Sequence, residues 1–138
     1  MSKLNLLIVF LLLVVFSCEK GYITDCRECT TGEIGDVKLK IWIGPRSYDP
    51  ALRRVTIYEG AMEDSLILSR FSTSESYVEY NALLYKDYTV TVEFISNGKN
   101  IISVDAACPQ MRYDENTCNE PCYYIYGNII DVRLRYNY

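Results

Sequence analysis

The stretch that decides the fold runs Tyr88-Thr-Val-Thr-Val-Glu-Phe-Ile-Ser-Asn97-Gly98-Lys-Asn-Ile-Ile-Ser-Val-Asp105. Tyr88, Val90, Val92 and Phe94 alternate with Thr89, Thr91 and Glu93. Period two is what a half-buried strand requires, because successive side chains point to opposite faces. Asn97-Gly98 then separates this run from a second one over Asn100 to Asp105. An Asn-Gly pair between two apolar runs is the strongest short hairpin signal, since both residues accept positive φ. The centre of the chain is therefore expected to be an antiparallel β-hairpin.

Upstream, the same period recurs. Val37, Leu39, Ile41 and Ile43 fall on one face, with Lys38, Lys40 and Trp42 on the other, and Gly44-Pro45 ends the run. Val55 and Ile57 alternate with Thr56 and Tyr58 before Glu59-Gly60. Ser65 to Phe71, with Leu66 and Leu68 on one side, and Tyr77 to Tyr80 are two further strand candidates. Downstream, Cys122 to Tyr126 and the alternating Ile130, Val132, Leu134 and Tyr136 flank Gly127-Asn128, which suggests a second hairpin. No segment has a convincing helical period. Seven or eight short strands at this spacing predict an all-β chain, an antiparallel β-sandwich of the Ig-like or transthyretin-like kind.

Val55-Thr-Ile-Tyr-Glu-Gly60 and Leu83-Leu-Tyr-Lys-Asp-Tyr88-Thr-Val-Thr-Val92 together resemble the transthyretin-like and carboxypeptidase-regulatory-like sandwich modules. In those modules a leucine stands five residues before the tyrosine that opens such a strand. The resemblance implies that Tyr88 caps the corner where the chain crosses between sheets, its ring inward and its hydroxyl returning to the backbone. It implies architecture and no particular activity.

At the other end of the chain, Lys3 precedes the unbroken apolar run Leu6 to Phe16, which is followed by Ser17 and Cys18. A cation, an apolar run and a small residue at the cut are the layout of a secretory signal. Eleven apolar residues are too few to span a bilayer, which takes about 20. Val15-Phe16-Ser17-Cys18 resembles the lipobox of bacterial lipoproteins. The resemblance implies cleavage before Cys18, a diacylglycerol on its thiol and acylation of the new amino terminus. Glu19 rather than aspartate follows it, which in that family points to the outer membrane. The expected division is residues 1–17 as signal peptide, 18–36 as lipidated tether and 37–138 as the sandwich. The tether, with Gly21, Gly32 and Gly35 and few apolar residues, would reach about 25 Å as a flexible chain.

Composition narrows the chemistry. The chain has 138 residues and a net charge of −4, and Lys3 is the one charged residue of the first seventeen, so the mature chain stands at −5. An acidic chain is a poor nucleic-acid binder, and no nucleic-acid partner is expected. There is no histidine, which removes Ser-His-Asp and Cys-His hydrolases and histidine-ligated metalloenzymes. Paired carboxylates are the remaining inexpensive catalytic option. Glu63-Asp64 and Asp114-Glu115 have no visible partner groups and read as solvated loop acids. Asp114-x-Asn116 lacks the glycine and closing glutamate of an EF-hand loop.

Five cysteines remain beyond Cys18: Cys26 and Cys29, Cys108, then Cys118 and Cys122. An exported chain favours disulfides, and linking Cys26 and Cys29 to Cys118 and Cys122 would clamp the start of the domain onto its last strands, leaving Cys108 over. A four-thiolate zinc site from the same two pairs is the alternative. A redox centre at Cys26-x-x-Cys29 is a third, although no helix is expected to lower its thiol pKa. Thirteen tyrosines all follow Cys18. The cluster Tyr123, Tyr124, Tyr126, Tyr136 and Tyr138 reads as strand composition first and as a binding patch second. Outward-facing Trp42 hints at a contact surface. The functional expectation is a non-enzymatic lipid-anchored envelope module, accessory, binding or structural, needing no cofactor. Its expected partners are the membrane through Cys18 and an envelope protein or glycan.

Overall fold

The computed structural model describes residues 25–32, 34–44, 52–64, 66–96, 98–116 and 118–134. The segment expected to be a signal peptide, Cys18, Asn97, Tyr136 and Tyr138 lie outside these. The described residues form nine strands: β1 (Val37–Trp42), β2 (Arg53–Glu59), β3 (Ile67–Thr73), β4 (Tyr77–Ala82), β5 (Tyr88–Ser96), β6 (Lys99–Ala107), β7 (Gln110–Asp114), β8 (Cys122–Tyr126) and β9 (Ile129–Asp131). The only helical turn among the described residues is a three-residue 3-10 turn, Met62–Asp64. No helix of the described residues is long and apolar enough to cross a membrane.

A three-stranded sheet of order β4-β1-β9 faces a four-stranded sheet of order β3-β2-β5-β6, and β7 and β8 form a separate two-stranded ribbon. The inward residues are those the period-two pattern selects. Val37, Leu39, Ile41 and Ile43 meet Val55, Ile57, Val90 and Val92, with Ile130 and Val132 from the last strand and the segment after it, all fully buried. Each such aliphatic side chain contributes about 1.5–3 kcal/mol on burial. At one end Arg53 is buried and places its guanidinium 5.7 Å from the centre of the Phe94 ring.

The central hairpin forms as expected. Ser96 pairs with Lys99, leaving a two-residue turn in which Gly98 has φ +73°. The corner residue also stands where the resemblance implies. Tyr88 is 3% exposed, and its hydroxyl accepts a hydrogen bond from the Leu83 main-chain N–H at 2.9 Å. Here the chain leaves β4 in one sheet for β5 in the other.

Three expectations need correction. Gly127-Asn128 is not a hairpin turn: β8 pairs antiparallel with β7, and β9 runs parallel to β1. Gly127 turns the chain between two different sheets at φ +67°, so close to the connection between β6 and β7 that a Cβ would lie 2.6 Å from the Cys108 carbonyl oxygen. Secondly, β7 occupies what reads in sequence as the loop Pro109 to Pro121, which accounts for the ninth strand. Thirdly, β3 does not turn Leu66 and Leu68 inward. Phe71 and Ser69 lie opposite Val55 and Ile57, and a register shift between Ile57 and Tyr58 follows. Leu66 and Leu68 are left 53% and 37% exposed. Because the side-chain period is two, one residue of register exchanges the faces.

Candidate functional site

Two features gather chemistry-bearing residues: a cysteine cluster at the ribbon and the outer face of the β4-β1-β9 sheet. The first begins at Asp25. Its side chain accepts the Arg27 N–H and its carbonyl accepts the Glu28 N–H, both at 3.0 Å, which makes a tight turn carrying Cys26 and Cys29. Aspartate favours such turns because its short carboxylate can bond its own backbone two residues on. The following residue, Thr30, then bridges Tyr123 of β8. Thr30 N donates to Tyr123 O at 3.0 Å and Tyr123 N to Thr30 O at 2.8 Å.

Disulfides join Cys26 to Cys118 and Cys29 to Cys122, with Cα–Cα distances of 5.8 and 5.6 Å, ordinary values for such bonds. This is the pairing between the two cysteine pairs that the sequence reading favours. The stretch from Asp25 to Gly32, assigned to the tether in sequence, is thus fastened to β8 by the Cys29–Cys122 bond and a backbone bridge, and to the segment before β8 by the Cys26–Cys118 bond. The Sγ atoms of Cys29, Cys118 and Cys122 lie within 4.8 Å of one another. Cys122 is buried, Cys29 and Cys118 half-buried.

Cys108 stays out of the cluster as the free thiol. Burial, followed by a hydrogen bond with Asp87, pushes its pKa up, so it is held as the unreactive protonated thiol.

The second feature grows from the outward positions of β1. Register places Trp42 between Tyr77 of β4 and Asp131 of β9, and Lys40 between Glu79 and Ile129. The Trp42 and Tyr77 ring centres are 4.8 Å apart at 52°, and the Arg133 guanidinium lies 5.6 Å from the indole centre. Both carboxylate oxygens of Asp131 hold that guanidinium. Oδ1 accepts from Nε at 2.7 Å, and Oδ2 accepts from Nη2 at 2.5 Å. Such a forked pair fixes geometry as well as charge, and it holds the Arg133 pKa up. Tyr77 donates its hydroxyl proton to Glu79 Oε1 at 2.9 Å, and Lys38 Nζ lies 3.2 Å from Glu79 Oε2. The Tyr77 hydroxyl bond, and then Lys38, draw the Glu79 pKa down.

Beside this cluster lies a cleft of about 320 Å³ lined by Glu28, Asp36, Lys38, Lys40, Glu79, Ile125 and Asn128. One wall is the disulfide-fastened turn, since Glu28 contributes a carboxylate 3.5 Å from Lys40 Nζ. Asn128 closes another by donating its side-chain amide to Lys38 O at 2.9 Å.

The remaining candidates separate. Asp64 accepts the Ala61 N–H at 3.3 Å and Asp114 the Asn116 N–H at 3.0 Å, so both acids shape local turns. Tyr123 stacks with Tyr113 and Tyr124 approaches Tyr126, at 4.8 and 6.2 Å. The ribbon's tyrosines therefore pack largely among themselves. Sequence reading flagged Trp42 but missed Tyr77, Asp131 and Arg133 as its companions. The i, i+2 pair Asp131-x-Arg133 on a strand was a visible signal, whereas the parallel pairing that brings it to Trp42 was not.

Comparison of the chain with protein-family models, with curated proteins and with solved structures finds no match.

Proposed function

We propose that this chain is a non-enzymatic, lipid-anchored binding module of the cell envelope, and that its ligand surface is the outer face of the β4-β1-β9 sheet. The observation that carries the reading is the cluster of Trp42, Tyr77, Asp131 and Arg133 beside the 320 Å³ cleft. Aromatic rings give rigid contact area at low entropic cost, and the forked Asp131–Arg133 pair presents polar atoms already in place. A stacking surface with fixed hydrogen-bonding groups beside it suits carbohydrate, whose rings have an apolar face and a polar rim.

The anchor rests on the signal-like segment and on Cys18. The two disulfides support it, because such bonds persist in oxidising compartments outside the cytoplasm. The lack of histidine and the dispersal of the acid pairs support a binding rather than a catalytic role.

Two measurements test the reading. Mass spectrometry of membrane-extracted protein should find acyl chains on an N-terminal Cys18, and an intact Met1 start would sink the anchor. Titration of the protein with envelope glycan fragments should change the emission of Trp42, the chain's single tryptophan, and Trp42→Ala should abolish binding. Saturable turnover of glycans, peptides or esters would overturn the non-enzymatic assignment.

A further inference from the structure

We propose that the four clamp cysteines, Cys26, Cys29, Cys118 and Cys122, form a four-thiolate zinc site when the two disulfides are reduced, so that one cation can close the clamp in place of two covalent bonds. Three of the four sulfurs are already gathered. Those of Cys29, Cys118 and Cys122 lie within 4.8 Å of one another, and that of Cys26 is bonded to Cys118. A tetrahedral zinc with Zn–S near 2.3 Å needs sulfurs about 3.8 Å apart. For Cys29, Cys118 and Cys122 the rearrangement is therefore on the order of an ångström or two, and Cys26, outside that group, must swing its exposed side chain in to complete the site.

Contacts other than the sulfurs hold the two ligand segments together. Cys26 and Cys29 sit on the turn closed by the two Asp25 hydrogen bonds, and Thr30 is joined to Tyr123 by two backbone hydrogen bonds. Cys122 opens β8, where it pairs with Asp114 of β7. Glu28 reaches Lys40 from the same turn. Reduction thus leaves a backbone frame around the thiols, and the C-x2-C and C-x3-C spacings let each segment present two sulfurs to one point. Four sulfurs and no nitrogen or oxygen ligand select zinc among the common divalent ions.

The chemistry balances as follows. Each disulfide takes two electrons and two protons from a dithiol reductant, which becomes a disulfide, and four thiols result. Zinc then displaces one proton from each, giving a dianionic tetrathiolate centre and releasing four protons to solvent. Cys108 takes no part, being a free half-buried thiol outside the cluster.

The test uses the full chain reduced with a phosphine, which does not hold zinc, and then titrated with Co²⁺ as a spectroscopic probe. One Co²⁺ per chain is expected, with the thiolate charge-transfer and intense visible bands of tetrahedral sulfur ligation, and zinc should displace it one for one. Cys108→Ser and Cys18→Ser should bind as the parent does. Cys122→Ser and the exposed-position variant Cys26→Ser should each weaken binding by about 100-fold or more, with circular dichroism reporting whether each is folded. Three results would overturn the site: a folded reduced chain that takes no Co²⁺, equal binding by the disulfide-bonded chain, or undiminished binding in Cys26→Ser. A reduced chain that unfolds and is not refolded by zinc overturns it as well.

Discussion

The main-chain N–H of Leu83 donates to the hydroxyl of Tyr88 across five residues, at 2.9 Å. That one bond ties the end of β4 to the start of β5 while the Tyr88 ring fills the core. Removing the oxygen leaves the ring in place and the N–H without its partner. Tyr88→Phe should lower stability by about 1–2 kcal/mol, read as a lower urea midpoint at unchanged slope. An unchanged midpoint would show that the hydroxyl is not part of the corner's stability.

The two disulfides should contribute unequally according to the order in which they are lost. Either alone closes a loop spanning a sequence separation of 92 or 93 residues, which in the chain-entropy account constrains the unfolded state by about 4.5 kcal/mol. Once one is formed, the other closes only the small ring between the two cysteine pairs, worth about 2.5 kcal/mol. Cys29→Ser with Cys122→Ser should therefore cost about 2.5 kcal/mol, and removing the remaining pair should cost more again. Equal steps in denaturant midpoint would contradict the interleaved pairing, in which either bond leaves only a small ring for the other to close.

Gly127 and Gly98 both have positive φ, yet they should respond differently to alanine. A Cβ at Gly98 meets nothing within 4 Å, whereas one at Gly127 lies 2.6 Å from the Cys108 carbonyl oxygen. Gly98→Ala should cost about 1 kcal/mol, the left-handed penalty alone. Gly127→Ala should cost at least about 2 kcal/mol more, because the connection between β6 and β7 at Cys108, or the turn at Gly127 itself, must shift. Thermal unfolding of the two variants side by side checks the difference.

Glu79 should titrate below the ordinary carboxylate range, held there first by the Tyr77 hydroxyl and then by Lys38. A depressed folded pKa means that the network's stabilisation is present above the unfolded value and is lost as pH falls through the folded one. The Trp42–Tyr77 arrangement should thus persist at neutral pH and loosen only in acid. Carbon-detected NMR of the Glu79 carboxylate follows the titration, and Tyr77→Phe and Lys38→Ala should each raise its pKa.

The strands with an uninterrupted period-two pattern are legible because each gathers its apolar residues on one face, although Thr56, Thr89 and Thr91 on the other face of β2 and β5 are buried as well. Val37 to Ile43, Val55 to Ile57 and Tyr88 to Phe94 place their apolar residues in the core as their spacing dictates. The turn at Gly98 is equally local, being set by a residue that accepts positive φ. Elements whose pattern depends on a distant partner were read wrongly. Leu66 and Leu68 look like a buried face until β2 fixes the register of β3. Gly127-Asn128 looks like a hairpin turn until β7 captures β8 and β1 captures β9.

The sequence by itself determined an all-β chain and its central hairpin, since both follow from local periodicity and turn chemistry, whereas the Tyr88 corner was what the resemblance implied and the linking of the two cysteine pairs was a preference among several connectivities. The sequence also excluded histidine chemistry. Only the tertiary structure decided the Trp42–Tyr77–Arg133 cluster and the sulfur cluster. Trp42, Tyr77 and Arg133 come from three separated segments, and they meet because β1 pairs with β4 on one edge and, in parallel, with β9 on the other. The sulfurs of Cys29 and Cys122, 93 residues apart, meet because Thr30 bridges β8. Those pairings depend on the summed burial and hydrogen bonding of the whole sandwich, which no single stretch of chain encodes.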